Sequence, residues 1–237
     1  MRAPAADLLA LPEVVTVRGS DDDLRAAAEP LTGPVLSFFS DWARRRAVWI
    51  LVGSILERDG ADVYNTSVLL DRRGLIAATY RKIHLFEARL PDQRVIRESD
   101  VYRAGNTPVM ADIEGWPTGL SICYDVRFPE LYRDYAAQGA CCLMIPANFT
   151  QRTGRDHWEI LVRARAIENQ CFVVAPNQCG VNPATGVVSY GHSMVVGPWG
   201  DVVARAGDYE QWLTAALSYN EITATRSRIP ALDHRRI

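Results

Sequence analysis

Gly119-Leu120-Ser121-Ile122-Cys123-Tyr124-Asp125-Val126-Arg127-Phe128-Pro129-Glu130 is the stretch whose reading decides the fold. Thr118 to Ile122 is a short apolar run of the kind that forms a buried strand. Pro129 and Gly139 bracket the next apolar stretch, the expected signs of a helix start and stop, so a helix is predicted over Pro129 to Gln138. Cys123 therefore falls on a sharp strand-to-helix turn, a placement that exposes the sulfur and leaves nearby backbone N–H groups unpaired. A cysteine in such a run is more often simply buried and inert, so the position alone does not assign it a role.

Working outward, β-branched runs alternate with amphipathic stretches. Strands are predicted at Val48 to Leu56, Tyr64 to Leu70, Leu75 to Tyr80, Cys141 to Pro146, Gln170 to Ala175, Ser193 to Val196, Val202 to Arg205 and Leu213 to Leu217. Asp71-Arg72-Arg73-Gly74 splits two of them as a hairpin turn. Helices are predicted at Asp22 to Ala28, Val35 to Arg46, Asp156 to Glu168 and Asn220 to Arg228. The third of these sets Ile160, Ala164 and Ile167 on one face, with Leu161 beside them. Strands interleaved with helices and hairpins predict a layered α/β domain spanning 1–237, with no repeat or linker to divide it.

The bulk composition narrows the function. A hydrophobic fraction of 48% is enough to fill a core without staples. The net charge of −2 is spread along the chain with no basic stripe, which argues against nucleic acid as a partner. Five cysteines, two of them adjacent at Cys141 and Cys142, do not make a simple disulfide framework. No Cys-x-x-Cys or close Cys/His set suggests a metal, no cofactor is expected, and no apolar run nears the ~20 residues of a membrane span. A reducing, cytoplasmic compartment is the expectation.

What would activate Cys123? By residue type His84, His157 and His192 are candidate bases, and nothing in the sequence fixes one of them beside it. Lys82 gives a different signal, because it is the only lysine in the chain. Every other basic side chain that carries a permanent charge is arginine, so a lone lysine at a strand end suggests a need for a compact ammonium, although lysines are commonly just exposed. Glu13 ends the apolar run Leu8-Leu9-Ala10-Leu11-Pro12. Three polar groups at three strand ends are able to converge at one edge of a sheet, the usual location of an α/β active site.

Leu11-Pro12-Glu13, Tyr80-Arg81-Lys82-Ile83-His84-Leu85-Phe86 and Ile122 to Glu130 together resemble the Glu–Lys–Cys signature of the nitrilase (carbon–nitrogen hydrolase) superfamily. Thr153 to Glu159 and Tyr190 to Gly200 extend the resemblance, which runs from about Asp7 to the C-terminus. It is nearest the Nit branch. The resemblance implies an α-β-β-α sandwich that forms a homodimer, and a thioester mechanism on a small amide. Cys123 is then the nucleophile, Glu13 the general base, Lys82 and the Tyr124 N–H the oxyanion donors, and Glu98 a second glutamate beside the lysine.

Substrate contacts are expected from Arg127, four residues past the nucleophile and able to grip a carboxylate, or else paired internally with Asp125 or Glu130. Phe149 and Thr153 follow the Leu143-Met144-Ile145-Pro146 strand and are placed to wall the site. The implied substrate is a small linear carboxylated amide such as deaminated glutathione or a related ω-amide. Hydrolysis of an N-carbamoyl amino acid or a nitrile on the same triad is an alternative, as is a non-catalytic interaction role. Members of this family carry a strand and a helix ahead of the glutamate, whereas twelve residues precede Glu13 here. An open apolar edge is therefore expected beside the first strand.

Overall fold

The computed structural model describes residues 5–89 and 95–236. Its first sheet is built from β1 (Leu8–Ala10), β2 (Trp49–Asp59), β3 (Asp62–Leu70) and β4 (Ile76–Arg81), in that spatial order. The β1–β2 pair is parallel and the other two are antiparallel. The Asp71 carboxylate accepts from the N–H groups of Arg73 and Leu75, which fixes the turn between β3 and β4.

Successive side chains of a strand point to opposite faces, and this sheet uses both. Ile50, Val52, Val68 and Leu70 pack under α2 (Pro34–Arg46), which buries Leu36, Phe39 and Ala43 against them. Leu51, Leu69 and Tyr80 point the other way, into the main core. There they meet a second sheet made of β7 (Val109–Ile113), β8 (Trp116–Leu120), β9 (Cys142–Met144), β10 (Phe172–Ala175), β13 (Met194–Val196) and β14 (Val202–Arg205). The order is β14-β13-β10-β9-β8-β7. β8, β9 and β10 run parallel, so each needs a crossover. The crossovers are α3 (Pro129–Ala137) and α5 (Glu159–Asn169), which cover the outer face of this sheet with Leu131, Tyr135, Val162 and Ala166 in the core. The layers thus follow the expected order, helix, sheet, sheet, helices.

Smaller elements complete the fold. α1 (Asp21–Ala26) has a capping box between Ser20 and Asp23, and α6 (Tyr219–Arg228) lies near the C-terminus. Two hairpins, β5 (Glu87–Arg89) with β6 (Val95–Arg97) and β11 (Cys179–Val181) with β12 (Val188–Tyr190), stand apart from the sheets. A short turn, α4 (Gln151–Thr153), runs through a π-helical turn at Gly154–Trp158 into α5. All five cysteines are free thiols. Among the described residues no helix is long and apolar enough to cross a membrane.

One expectation needs correction, and the structure settles which face of α5 is inward. The apolar stripe on α5 faces outward, with Ile160 70% and Ile167 52% exposed. The inner face is Val162, Arg165, Ala166 and Asn169, where Arg165 is tolerated because its Nε donates to the Val126 carbonyl and its Nη1 pairs with Glu168. Residues 213–217, expected as a strand, form none and make no backbone hydrogen bond to any described residue. Instead they form one wall of a groove of about 1040 Å³ whose other side includes β1, lined by Leu9, Leu11, Trp116, Met144, Val174 and Trp212 among others. Among the described residues β1 is an edge strand of its sheet.

Candidate active site

The site lies where the chain leaves β1, β4 and β8. After β1 the backbone stays on β2 through the Leu11 N–H, which donates to the Leu51 carbonyl at 3.0 Å. Gly53 permits this approach, since a Cβ there would lie 1.9 Å from the Pro12 carbonyl oxygen. Val14 then takes a left-handed conformation (φ 47°), an outlier for a β-branched residue. Its N–H is held by the Ser54 hydroxyl at 2.8 Å, so the turn that buries Glu13 is fastened to β2.

Lys82 continues the pairing of β4 one residue past its end, donating its N–H to the Asn65 carbonyl at 2.9 Å, and its own carbonyl accepts from Gly105 at 2.8 Å. The side chain is fully buried. Its Nζ lies 2.8 Å from Glu13 Oε1 and 2.8 Å from Glu98 Oε1. An ammonium has three N–H donors, so one remains for a third acceptor. Asn65 Nδ2 also donates to Glu13 Oε1 at 2.9 Å, which leaves Glu13 Oε2 without a partner among the described residues. Glu98 is steadied through Oε2 by the Phe86 N–H at 2.7 Å.

Cys123 is the first residue of a 3-10 turn, Cys123–Arg127, and is itself left-handed (φ 49°). Its N–H donates to the Pro146 carbonyl at 2.8 Å, while the N–H and hydroxyl of Ser121 both reach the Met144 carbonyl. The turn is thereby pinned to the loop after β9. No described residue accepts from the Tyr124 N–H, which stands free next to the thiol's own residue.

Charge is concentrated here among buried groups. Burial alone would pull the Lys82 ammonium down, but Glu13, Glu98 and Cys123 hold it well above its ordinary value. Burial pushes the Cys123 thiol well up and Glu13 adds to this; Lys82 and the Asn148 N–H directed at the sulfur offset it only in part. Glu98 is raised by burial, against the pull of Lys82. The resting site therefore holds a thiol beside a charged ammonium.

The other expected residues divide. Arg127 forms no ion pair with Asp125 or Glu130; its guanidinium lies 5.8 Å from the ring centre of Tyr124, 5.5 Å from that of Phe149, and 3.3 Å from His157 Nδ1. Phe149 is buried against Trp158 at 4.8 Å, with its N–H held by Asn177. Thr153 bonds Thr150 in the next turn, and no contact joins it to Cys123 or Arg127. The three histidines proposed as bases by residue type go elsewhere: His84 to Asp125, His157 to Arg127, and His192 to the Tyr190 carbonyl. Sequence reasoning missed Asn65 and Gln178, whose Nε2 donates to the Glu13 carbonyl at 3.0 Å. The signal for Asn65 was present, since Asn65-Thr66-Ser67 places three polar residues inside an otherwise apolar strand. Among the described residues no group of three or more His, Cys, Asp or Glu could hold a metal ion.

Comparison with known proteins places this geometry in a family. The model of the carbon-nitrogen hydrolase family matches residues 1–227. A deaminated glutathione amidase from Mus musculus is 43% identical over 88% of this chain and 66% of its own length. One from Synechocystis is 38% identical over 97% of this chain and 86% of its own. Saccharomyces cerevisiae Nit3, a branch 10 member of the nitrilase superfamily, superposes with a TM-score of 0.87 at 32% identity, over 98% of this chain and 83% of that one. A variant of the amidase from Nesterenkonia sp. AN1 superposes with a TM-score of 0.79 at 27% identity, over 98% of this chain and 81% of that one. It carries the acetamide moiety of fluoroacetamide on its active-site cysteine. The chain belongs to the carbon–nitrogen hydrolase family and, within the nitrilase superfamily, stands with the Nit branch.

Proposed function

We propose that this chain hydrolyses a small linear carboxylated amide, deaminated glutathione or a related ω-amide, to the acid and ammonia through a thioester on Cys123. The observation that carries the reading is the buried Lys82 ammonium, bridging Glu13 and Glu98 beside a thiol on a left-handed turn.

Because burial keeps the thiol protonated, attack needs a base in the site, and the free Glu13 Oε2 is that base. As the proton moves to Glu13, sulfur bonds the amide carbon and the carbonyl oxygen gains the negative charge. The third Lys82 N–H and the Tyr124 N–H receive that oxygen, contacts whose individual loss costs about 3–4 kcal/mol in barrier height. The C–N bond then breaks, and the nitrogen leaves as ammonia with the proton Glu13 held. In the second half Glu13 takes a proton from water, the hydroxide attacks the thioester, and the sulfur departs with that proton. Glu98 holds the ammonium in place and neutralises it.

A carboxylated substrate is favoured because Arg127 has no carboxylate partner among the described residues and is flanked by the rings of Tyr124 and Phe149. The Nit-branch relatives named as deaminated glutathione amidases point the same way. Thr153, in the short turn α4, is proposed as a weaker contact. The outward stripe of Ile160 and Ile167, beside exposed Trp199 and Val203, suits a homodimer interface, and five free thiols suit the cytoplasm. The test is a panel of ω-amides, N-carbamoyl amino acids and nitriles. Ammonia without CO2 from the ω-amides, with KM raised at least tenfold by Arg127→Met, supports the reading; turnover of only the other two classes contradicts it.

A further inference from the structure

Tyr80 and His84 stand two residues before and two residues after Lys82, and Asp125 stands two residues after Cys123. All three meet at one carboxylate. Asp125 is fully buried, and its Oδ2 accepts from the Tyr80 hydroxyl at 2.7 Å and the Ile122 N–H at 2.8 Å. Its Oδ1 accepts from the His84 N–H at 3.0 Å and lies 2.7 Å from His84 Nδ1. The His84 ring is fixed in turn by stacking on Phe128, with centroids 3.7 Å apart. One carboxylate thus takes four donors, two of them on backbone, one residue before Cys123 and two residues after Lys82. Among the described residues no other side chain hydrogen-bonds to both sides of Lys82 from the turn that carries the thiol.

We propose that Asp125 is a positioning residue that locks the nucleophile turn to the lysine segment, so that the Lys82 ammonium and the Tyr124 N–H address the same oxygen. It touches no reacting atom. The inference rests on the thioester reading above and adds to it the element that sets the distance between the two oxyanion donors. A buried carboxylate with four donors suits this task because each oxygen has two lone-pair directions, so both ends of the lysine segment are held at once. An amide in its place offers only one accepting oxygen. In Asp125→Asn the amide NH2 must therefore face either the Ile122 N–H or the His84 N–H, neither of which is able to accept. A displacement of about 1 Å at reacting atoms costs roughly 10²-fold in rate.

The test measures kcat per active site, counting sites by stoichiometric acyl labelling of the thiol. Asp125→Asn is expected to lower kcat per labelled site roughly 10²-fold with KM changed less than threefold. Tyr80→Phe, which removes one donor and leaves the charge in place, should lower it about fivefold, consistent with one hydrogen bond. The pair should fall short of additivity, because both act through one carboxylate. A purely structural role would reduce the number of labelled sites and the melting temperature and leave kcat per site unchanged. That outcome in Asp125→Asn overturns the proposal; if that variant does not fold, the same outcome in Tyr80→Phe overturns it. Failure of the wild-type protein to label or turn over would instead sink the thioester reading itself.

Discussion

The thiol–lysine end of the sandwich and the groove beside β1 are built to opposite standards, although Glu13 lies only three residues past β1. At the first, Lys82 has two carboxylates, Glu13 Oε1 has two donors, and Asp125 has four. At the second, residues 213–217 make no backbone hydrogen bond to any described residue, and Arg18 Nε and Gln211 Nε2 are buried without partners. Ion pairing is concentrated where buried charge must be held, because a lone buried charge is costly, although Asn65 Oδ1 and Ser67 Oγ at that end are also buried without partners. The groove side carries no reacting group, and loose packing there leaves Glu13 in place because Asn65 and Gln178 hold it from β3 and from the loop before β11.

The contrast predicts a graded series. Cys123→Ala should lower turnover by 10⁴–10⁶-fold with the fold kept, measured by initial rates and circular dichroism, while Cys141→Ala, away from the site, should leave most of it. Lys82→Arg should abolish measurable hydrolysis, because a wide planar fork does not fit between two carboxylates and an oxyanion as a compact ammonium does. Rates near wild type for this variant would remove the lysine from the mechanism. Lys82 also predicts a pH effect on stability. Its folded-state pKa is raised, so its contribution is full below the ordinary lysine value of about 10.4 and is lost as pH climbs through the higher folded value. Melting temperature should therefore hold on this account through pH 10 and fall above it. Asn65→Ala, which frees one of two donors on Glu13 Oε1, should cost about 1–3 kcal/mol in kcat/KM. On the groove side, Thr214→Ala should change stability by less than about 0.5 kcal/mol and kcat by less than twofold. Amides 213–217 should exchange quickly while those of Leu143 and Val173 approach global protection. Strong protection at 213–217 would mean that the two regions do not differ as described.

Much of the site was legible because it depends on residue type at strand ends. A lone lysine, a glutamate ending an apolar run and a cysteine before Pro129 each left a one-dimensional trace. A layered α/β domain was legible through apolar runs such as 48–56, and the α-β-β-α order through the family resemblance. What escaped depends on pairing in space. Val109–Ile113 was missed because its alternation is broken by Ala111 and Asp112, and only β8 makes it a strand. Residues 213–217 carry strand-like composition, yet a strand is defined by its backbone pairing and this segment makes none to any described residue. The stripe at Ile160 and Ile167 has helical period, but period does not say which face is inward; the buried Arg165 reversed it. Asp125 stood in the quoted motif, but three of its four donors come from the distant segment 80–84.

The central claim is that Cys123 forms a thioester with the amide's acyl group while Glu13 and Lys82 manage proton and charge. Intact-mass spectrometry of the protein quenched during turnover of an ω-amide tests it most directly, with peptide mapping of the adduct. The account predicts a mass increase equal to the acyl group, on Cys123, which is absent in Cys123→Ala and fails to form in Glu13→Gln, where the base for attack is missing. Turnover with no adduct on Cys123, or an adduct on another residue, would contradict it.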